Sequence, residues 1–502
     1  MLYFLISPLL VVSAFATDPP CPVTTIASNG VWPAGATDMV PLDKDYTCEL
    51  VFSIPAGYIA KLSVSVNYPA ITNPDSFTLV NSAGEETIFF TGNTYTMMPS
   101  DKATMFIRTK TAQAQAYIKY EYIDVRNFKC VAKNTGDYLA LALDDNTAYT
   151  FTSSANDRVV LSAASEVKND DSKYWYYIYD GDSLSAKYLG NLGALPLVQS
   201  VGKSLTIVNF YNTPSKYWMV ANDYSKISNF VSYSLILTST THATNGHVKN
   251  PTLNPAVFTV LCTDCNENHI ETMNMTGAGQ QVSFVPMTPT QNIPWLLRYS
   301  SVSAYDYILP QKIPAKMFTM MVPTSTEIYV RFSPSFPQWK TPFAGRTIEV
   351  FSPSMWDPSS SGAFDYSFPS SEDHNYAIQA NSLKINDING KLHMQIGYQG
   401  ANTVAQQDIS CDNNQATCTK TNIPRLTGVA QTAWVSYNGV SSGSTSWTTI
   451  NVNGGATTPK PTLAPGVTTP KVTAPPKIDT TTTSASHVML FLGFVVSLFH
   501  FL

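Results

Sequence analysis

A chain of 502 residues is too long for a single hydrophobic core, and its length alone points to about three domains. Charged residues make up only 13%, aromatics reach 12%, and 33 prolines accompany hardly any long helical pattern, the profile of an all-β extracellular protein. The net charge of −5 comes without any basic block, which argues against nucleic acid as a partner.

In chain order, Leu2–Val12 is an apolar run too short to span a bilayer, and it ends in Ala14-Phe15-Ala16. That is the pattern of a secretory signal peptide over 1–16, with Thr17 as the mature start. A first β-rich unit is expected over 17–125. From Ala60, the apolar Leu62, Val64, Val66 and Tyr68 alternate with Lys61, Ser63, Ser65 and Asn67, the period of a strand with one buried face. Pro55–Gly57 reads as the turn before this strand and Pro69–Pro74 as the turn after it. The unit closes on a strand carrying Ala114, Ala116, Ile118 and Tyr120 on one face.

A second β-sandwich is expected over 126–240, holding the aromatic run Tyr174–Tyr179 and a strand over Ser204–Phe210. On a strand, Trp175, Tyr177 and Tyr179 face one way and Tyr174, Tyr176 and Ile178 the other. One face must serve the core. The other, if exposed, is an aromatic platform for sugar or protein contacts; the alternative is that packed sheets bury both. Two further β-rich domains are expected over 241–336 and 337–452, the first ending on Ile328, Val330 and Phe332, the second carrying Leu392, Met394, Ile396 and Tyr398 in alternation.

Beyond them, 453–486 is built of Thr, Pro, Ala and Lys and cannot bury enough apolar surface to offset the entropy of ordering it. It reads as an extended, mucin-like stalk. Val488–Leu502 is apolar up to the last residue, short for a span and without a basic stop-transfer cluster. Segment 487–502 therefore reads as a signal for exchange to a GPI-type lipid anchor, a single-span tail or full secretion being the alternatives.

The stretch Cys21, Trp32-Pro33, Tyr46-Thr47-Cys48, Ile54-Pro55-Ala56-Gly57-Tyr58 and Asp75–Gly84 resembles the nematode CUB-like domain over about the first 110 mature residues. The second unit is similar to a CUB domain more loosely, through Tyr179–Ser183 and Val201–Ile207. The resemblance implies an all-β fold of tandem antiparallel β-sandwiches (CUB-like jelly rolls), secreted or on the cell surface, acting as interaction modules often linked to infection. It implies a Cys21–Cys48 bridge. It also raises calcium, since some CUB domains bind it through a Glu and two Asp. Here Asp75 matches one position, but no acid stands near Asn67; in the second unit Asp180 and Asp182 are present, while Tyr174 replaces the earlier Asp. An incomplete acid set points to solvated loop carboxylates and no metal.

Seven cysteines in a secreted chain imply disulfides with one residue over. Cys411 and Cys418 are close enough to close a small loop. Cys262 and Cys265 either bridge each other, leaving Cys130 free, or one of them takes Cys130. Read with His269, Cys262-x-x-Cys265 offers three zinc ligands, but paired thiols in an oxidising compartment are usually disulfides. Asn274-Met275-Thr276 is an N-glycosylation sequon, expected in an exposed loop. No H-E-x-x-H, G-x-S-x-G or phosphate-binding loop occurs, and Ser371–His374 reads as a polar loop. The expectation is a cell-surface, non-catalytic recognition or adhesion ectodomain without cofactor. It would meet an extracellular protein or glycan ligand and reach the membrane through its lipid anchor. A secreted hydrolase or protease with CUB-like docking domains, or a structural coat protein, are the alternatives.

Overall fold

The computed structural model describes residues 18–455, apart from 69–74, 141–145, 196, 242, 278, 401 and 413–414. The expected signal peptide, anchor signal and turn at Pro69–Pro74 lie outside the described residues, as does the expected stalk apart from 453–455, which are strand. Two compact units meet between Ser225 and Lys226. Each consists of two β-sandwiches.

The first sandwich contains β1 (Gly30–Trp32), β2 (Val40–Pro41), β3 (Thr47–Asn67), β4 (Ser76–Val80), β5 (Glu86–Ile88), β6 (Gly92–Arg108) and β7 (Gln115–Asp124). Strand order is β1-β7-β3-β6-β4-β5, with β2 also on β7. Pro55–Gly57 is not a turn. It lies inside the 21-residue β3, where the register with β6 shifts between Ile54 and Ile59. A bulge bends a strand without ending it, and here β6 bends alongside, with Pro99 opposite Ile59. Gly57 sits at the bend with φ of 79°, and a Cβ there would meet Arg126 Cγ at 2.5 Å, so only glycine fits. The bend folds one sheet into two layers. The first half of β3 pairs with the second half of β6, which carries β4; the second half of β3 pairs with the first half of β6 and with β7. The expected alternation holds: Leu62, Val64 and Val66 are buried with Leu50, Phe52, Phe77, Met105 and Ile118, and Trp32 closes the core. Burying each such side chain contributes about 1.5–3 kcal/mol.

The second sandwich has β8 (Lys129–Asn134), β9 (Tyr138–Ala140), β10 (Thr147–Thr152), β11 (Val159–Ser165), β12 (Tyr176–Asp180), β13 (Lys187–Asn191), β14 (Val198–Gln199), β15 (Ser204–Asn209) and β16 (Tyr217–Asp223). Its layers are β13-β12-β15-β10-β8 and β14-β11-β16-β9, with β8 parallel to β10.

The third sandwich has β17 (Ser232–Thr238), β18 (Thr244–Asn250), β19 (Ala256–Cys262), β20 (Asn268–Thr276), β21 (Gln281–Pro286), β22 (Leu297–Ser300), β23 (Gln311–Ile313), β24 (Met317–Val322) and β25 (Thr326–Ser333). Its layers are β22-β21-β24-β19-β17 and β23-β20-β25-β18, with β17 parallel to β19. Strand for strand, this is the second sandwich again. Ser232–Thr238, assigned to the second unit by a boundary at 240, belongs to the third; its parallel partner Ala256–Cys262 lies too far along the chain to leave a local signal.

The fourth sandwich has β26 (Thr347–Phe351), β27 (Phe364–Ile385), β28 (Lys391–Gly397), β29 (Thr403–Ser410), β30 (Cys418–Lys420), β31 (Leu426–Tyr437) and β32 (Thr445–Gly455). Its order, β26-β32-β27-β31-β28-β29 with β30 on β27, repeats the first sandwich once β2 and β30 are set aside. The 22-residue β27 plays the part of β3 and shifts register between Pro369 and His374. The correspondence extends to the middle pair. There β10 and β11 are the two halves of β3 separated by a loop, and β14 and β15 the two halves of β6. One topology thus occurs four times: bent but continuous at the ends, broken into two sheets in the middle.

Candidate functional site

The aromatic run of the second sandwich lies on β12 and the short helical turn before it. Tyr177 and Tyr179 point the same way, as the alternation predicts, but they are 4% and 0% exposed. They pack with Ile59, Met97, Val125, Tyr188 and Phe210, so the cluster joins the first sandwich to the second. Tyr177 donates to the Met97 carbonyl (2.9 Å), and Tyr188 donates to Glu85 Oε2 (2.7 Å). The Asn191 N–H donates to Glu85 Oε1 (2.6 Å). Burial pushes the Tyr177, Tyr179 and Tyr188 hydroxyls well above their usual range, with Glu85 adding to the shift at Tyr188. Of the two readings left open for Trp175, Tyr177 and Tyr179, the two tyrosines therefore follow the buried one, and the exposed platform is withdrawn for them. A face that leaves its own core is covered by the neighbouring sandwich, and alternation cannot reveal that cover.

Trp175 falls outside this pattern. It closes the helical turn Asp171–Trp175, and its half-buried ring lies 6.3 Å from Tyr211, which lies 5.4 Å from Tyr95. Tyr95 is 44% exposed. Lys61 Nζ stands 4.8 Å from its ring, and Tyr95 pairs across the sheet with Ser63. Three aromatic rings thus line the outer margin of the buried seam. Tyr95 and Tyr211 went unnoticed in the sequence because they lie on different sandwiches, far apart along the chain.

Of the acidic positions, Asp75 departs from the expectation and Asp182 follows it. Asp75 is buried, and its carboxylate accepts from the Lys110 N–H, from the Thr111 N–H (3.0 Å) and from the Thr111 hydroxyl (2.6 Å). It ties the loop before β4 to the loop after β6, and it is not a solvated loop carboxylate. Surrounded by N–H and O–H donors, it is satisfied without a cation. The fourth sandwich repeats the device: Asp387, before β28, accepts from the Ser441 N–H (3.1 Å) and the Ser444 hydroxyl (2.6 Å) after β31. In the second sandwich Asp180 accepts from the Val201 N–H (2.8 Å), and Asp182 is exposed.

Cys21–Cys48, Cys262–Cys265 and Cys411–Cys418 are disulfides, and Cys130 is free and exposed. Oxidation of Cys262 and Cys265 removes the thiolates that a zinc site needs. His269 is buried elsewhere, at the seam of the third and fourth sandwiches, 6.2 Å from the Trp339 ring. Burial, reinforced by Lys312, lowers its pKa to about 4. Lys312 pairs with Glu267 (2.5 Å) and lies over Tyr366 (4.7 Å). At the same seam the buried Arg346 guanidinium donates to the carbonyls of Gln338 (3.0 Å), Trp339 (2.8 Å), Pro310 (3.0 Å) and Thr341. His374 lies on β27 with Nε2 2.9 Å from Ser370 Oγ, while its Nδ1 has no hydrogen-bond partner. A serine–histidine pair without an acid behind the imidazole lacks the group that orients a catalytic base. Asn274 is exposed, but on β20 rather than in a loop.

The fold and its seams define the class: an all-β chain of tandem sandwiches, each pair fused through a buried polar and aromatic interface. Its first sandwich is a CUB-like domain, with residues 16–126 matching that family. No curated protein matches the chain. Among solved structures, the CUB1-EGF-CUB2 domain of human MASP-1/3 is similar over 38% of this chain and 96% of its own, at 11% identity and a TM-score of 0.16. The same domains of rat MASP-1 match over 39% and 99%, at 9% identity and a TM-score of 0.18. The full extracellular region of zebrafish Gpr126/Adgrg6 matches over 87% of this chain and 57% of its own, at 9% identity and a TM-score of 0.17.

Proposed function

We propose that the protein is a cell-surface recognition or adhesion ectodomain without catalytic activity, in which four sandwiches of one topology display ligand-binding surface above a glycosylated stalk and a lipid anchor. The observation that carries this reading is the repetition itself. The four strand orders coincide, and the interiors are filled with apolar side chains, so the surface is what remains to distinguish the sandwiches. The CUB-like match at 16–126 supports an extracellular setting, and three disulfides fit an oxidising compartment. The family resemblance supports a role in surface defence as the setting of that recognition.

The test is direct. The soluble ectodomain from Thr17 to the end of β32, fused to a fluorescent tag, should stain cells or extracellular material saturably. Phosphatidylinositol-specific phospholipase should shed the full-length protein from cells that make it. Absence of any saturable staining overturns the recognition reading; retention after phospholipase overturns the anchor.

A further inference from the structure

The outer margin of the N-terminal seam has a chemistry of its own. Tyr95, Tyr211 and Trp175 form a rank of rings with steps of 5.4 and 6.3 Å, drawn from β6 of the first sandwich and from two separate loops of the second. The rank does not end in the core. Tyr95 is 44% exposed, and Tyr211 and Trp175 are half-buried. Tyr211 is also the hinge between inside and outside, stacking on the buried Tyr177 at 6.4 Å while its hydroxyl lies 3.4 Å from Thr96 Oγ1. The inner residues thus hold the outer rings in place, which lowers the entropy lost when a ligand stacks on them.

Beside the rank lies the outward face of β3 and β6. Ser63 pairs with Tyr95, Ser65 pairs with Asn93, and Lys119 of β7 pairs with Ser63. These side chains are short hydroxyls, an amide and a lysine paired with Glu121, each able to donate and most able to accept. We propose that this margin binds an extended oligosaccharide, with pyranose C–H faces on the rings of Tyr95, Tyr211 and Trp175 and sugar hydroxyls on Ser63, Ser65 and Asn93. The inference rests on the recognition reading above and names its ligand class. A sugar is amphipathic in the way this surface is, apolar on its ring faces and polar around its rim. A protein hot spot instead desolvates a central apolar cluster, and here the cross-strand neighbours of the outermost ring are polar. Lys61 stands against Tyr95 and is faced across the sheet by Glu121, so neutral sugars suit the margin better than acidic ones.

The secreted ectodomain should be applied to a printed array of neutral and acidic glycans, and any binder titrated in solution. The expected result is binding of at least one neutral oligosaccharide. Tyr95→Ala should weaken it roughly tenfold, the loss of one stacked ring. Thermal unfolding should be unchanged, and Ile88→Ala, an exposed residue elsewhere in the same sandwich, should bind as wild type does. An array on which no glycan is retained overturns the proposal, as does binding that Tyr95→Ala leaves intact. Retention of acidic glycans alone, abolished by salt but not by Tyr95→Ala, is capture by lysine charge and also overturns it. Cell staining that survives glycosidase treatment yet disappears with Tyr95→Ala identifies a protein partner; this assignment then fails while the recognition reading stands. If nothing stains at all, that reading fails, and the array still decides the sugar site separately.

Discussion

The two seams solve one problem with different chemistry. In the N-terminal unit the sandwiches join through tyrosines and a single carboxylate: Tyr177 and Tyr179 in apolar contact, Tyr188 and a backbone N–H on Glu85. In the C-terminal unit Phe351 and Trp356 of the fourth sandwich pack into the core of the third, and the polar contacts beside them are cationic, with Arg346 held by four carbonyls and Lys312 between Glu267 and the rings of Tyr366 and Trp339. Tandem copies of one topology therefore need no common joint. Whatever side chains face outward at the end of each sandwich make it, and this leaves the sandwich cores alone while the joints diverge.

The largest expected effect falls on the cationic seam. Arg346→Met takes the shared donor from four carbonyls, of which that of Gln338 keeps the Thr341 N–H, and should lower stability by about 3–5 kcal/mol, measured by denaturant unfolding of the ectodomain. A loss below about 1 kcal/mol would mean that the carbonyls find water, and the seam would be looser than its contacts indicate.

Acid should separate the units next. All seven histidines lie beyond residue 240, so the N-terminal unit has none. His269 is a base whose folded pKa, about 4, lies below the unfolded value, and the groups facing it are Lys312 and Glu267. The unfolded chain therefore takes the proton first. Stability falls as pH drops from about 6.5 to 4, by up to roughly 3 kcal/mol from this residue. Burial lowers the His374 pKa as well, in the same sense. Hydrogen exchange at pH 7 and pH 4.5 should show the C-terminal unit loosening first, and His269→Phe should remove much of the difference. Equal loosening of both units would contradict it.

The smallest effect belongs to the tyrosine seam's single carboxylate. Glu85→Gln keeps one acceptor oxygen for Tyr188 but loses the charge in its bonds from Tyr188, the Asn191 N–H and Asn81 Nδ2, an expected loss of about 1–2 kcal/mol. A larger loss would show that this seam, too, depends on charge.

What the sequence disclosed follows from what is local. The alternation at Leu62, Val64 and Val66 predicts a half-buried strand, and the strand is there. Pro55–Gly57 carries the composition of a turn, yet turn residues also make bulges, and the choice depends on whether β6 bends in step. Cys21–Cys48, implied by resemblance, is formed. Between the two pairings left open for Cys262 and Cys265, the short bridge holds, and Cys130 is the cysteine left over. The fourfold repeat was hidden because the same strand is continuous in the first and fourth sandwiches and interrupted in the others, so no period in length survives. The rank of Tyr95, Tyr211 and Trp175 was equally hidden, since its members meet only when two sandwiches do.

The tyrosines of β12 hold the first two sandwiches together, while the rings outside them form the exposed margin. Thermal and denaturant unfolding of Tyr177→Ala and Tyr95→Ala, compared in the intact ectodomain, tests this most directly. Tyr177→Ala should cost about 3–5 kcal/mol, the range for truncating a buried aromatic, and Tyr95→Ala less than about 1 kcal/mol. A stable Tyr177→Ala protein beside a destabilised Tyr95→Ala protein would contradict the account.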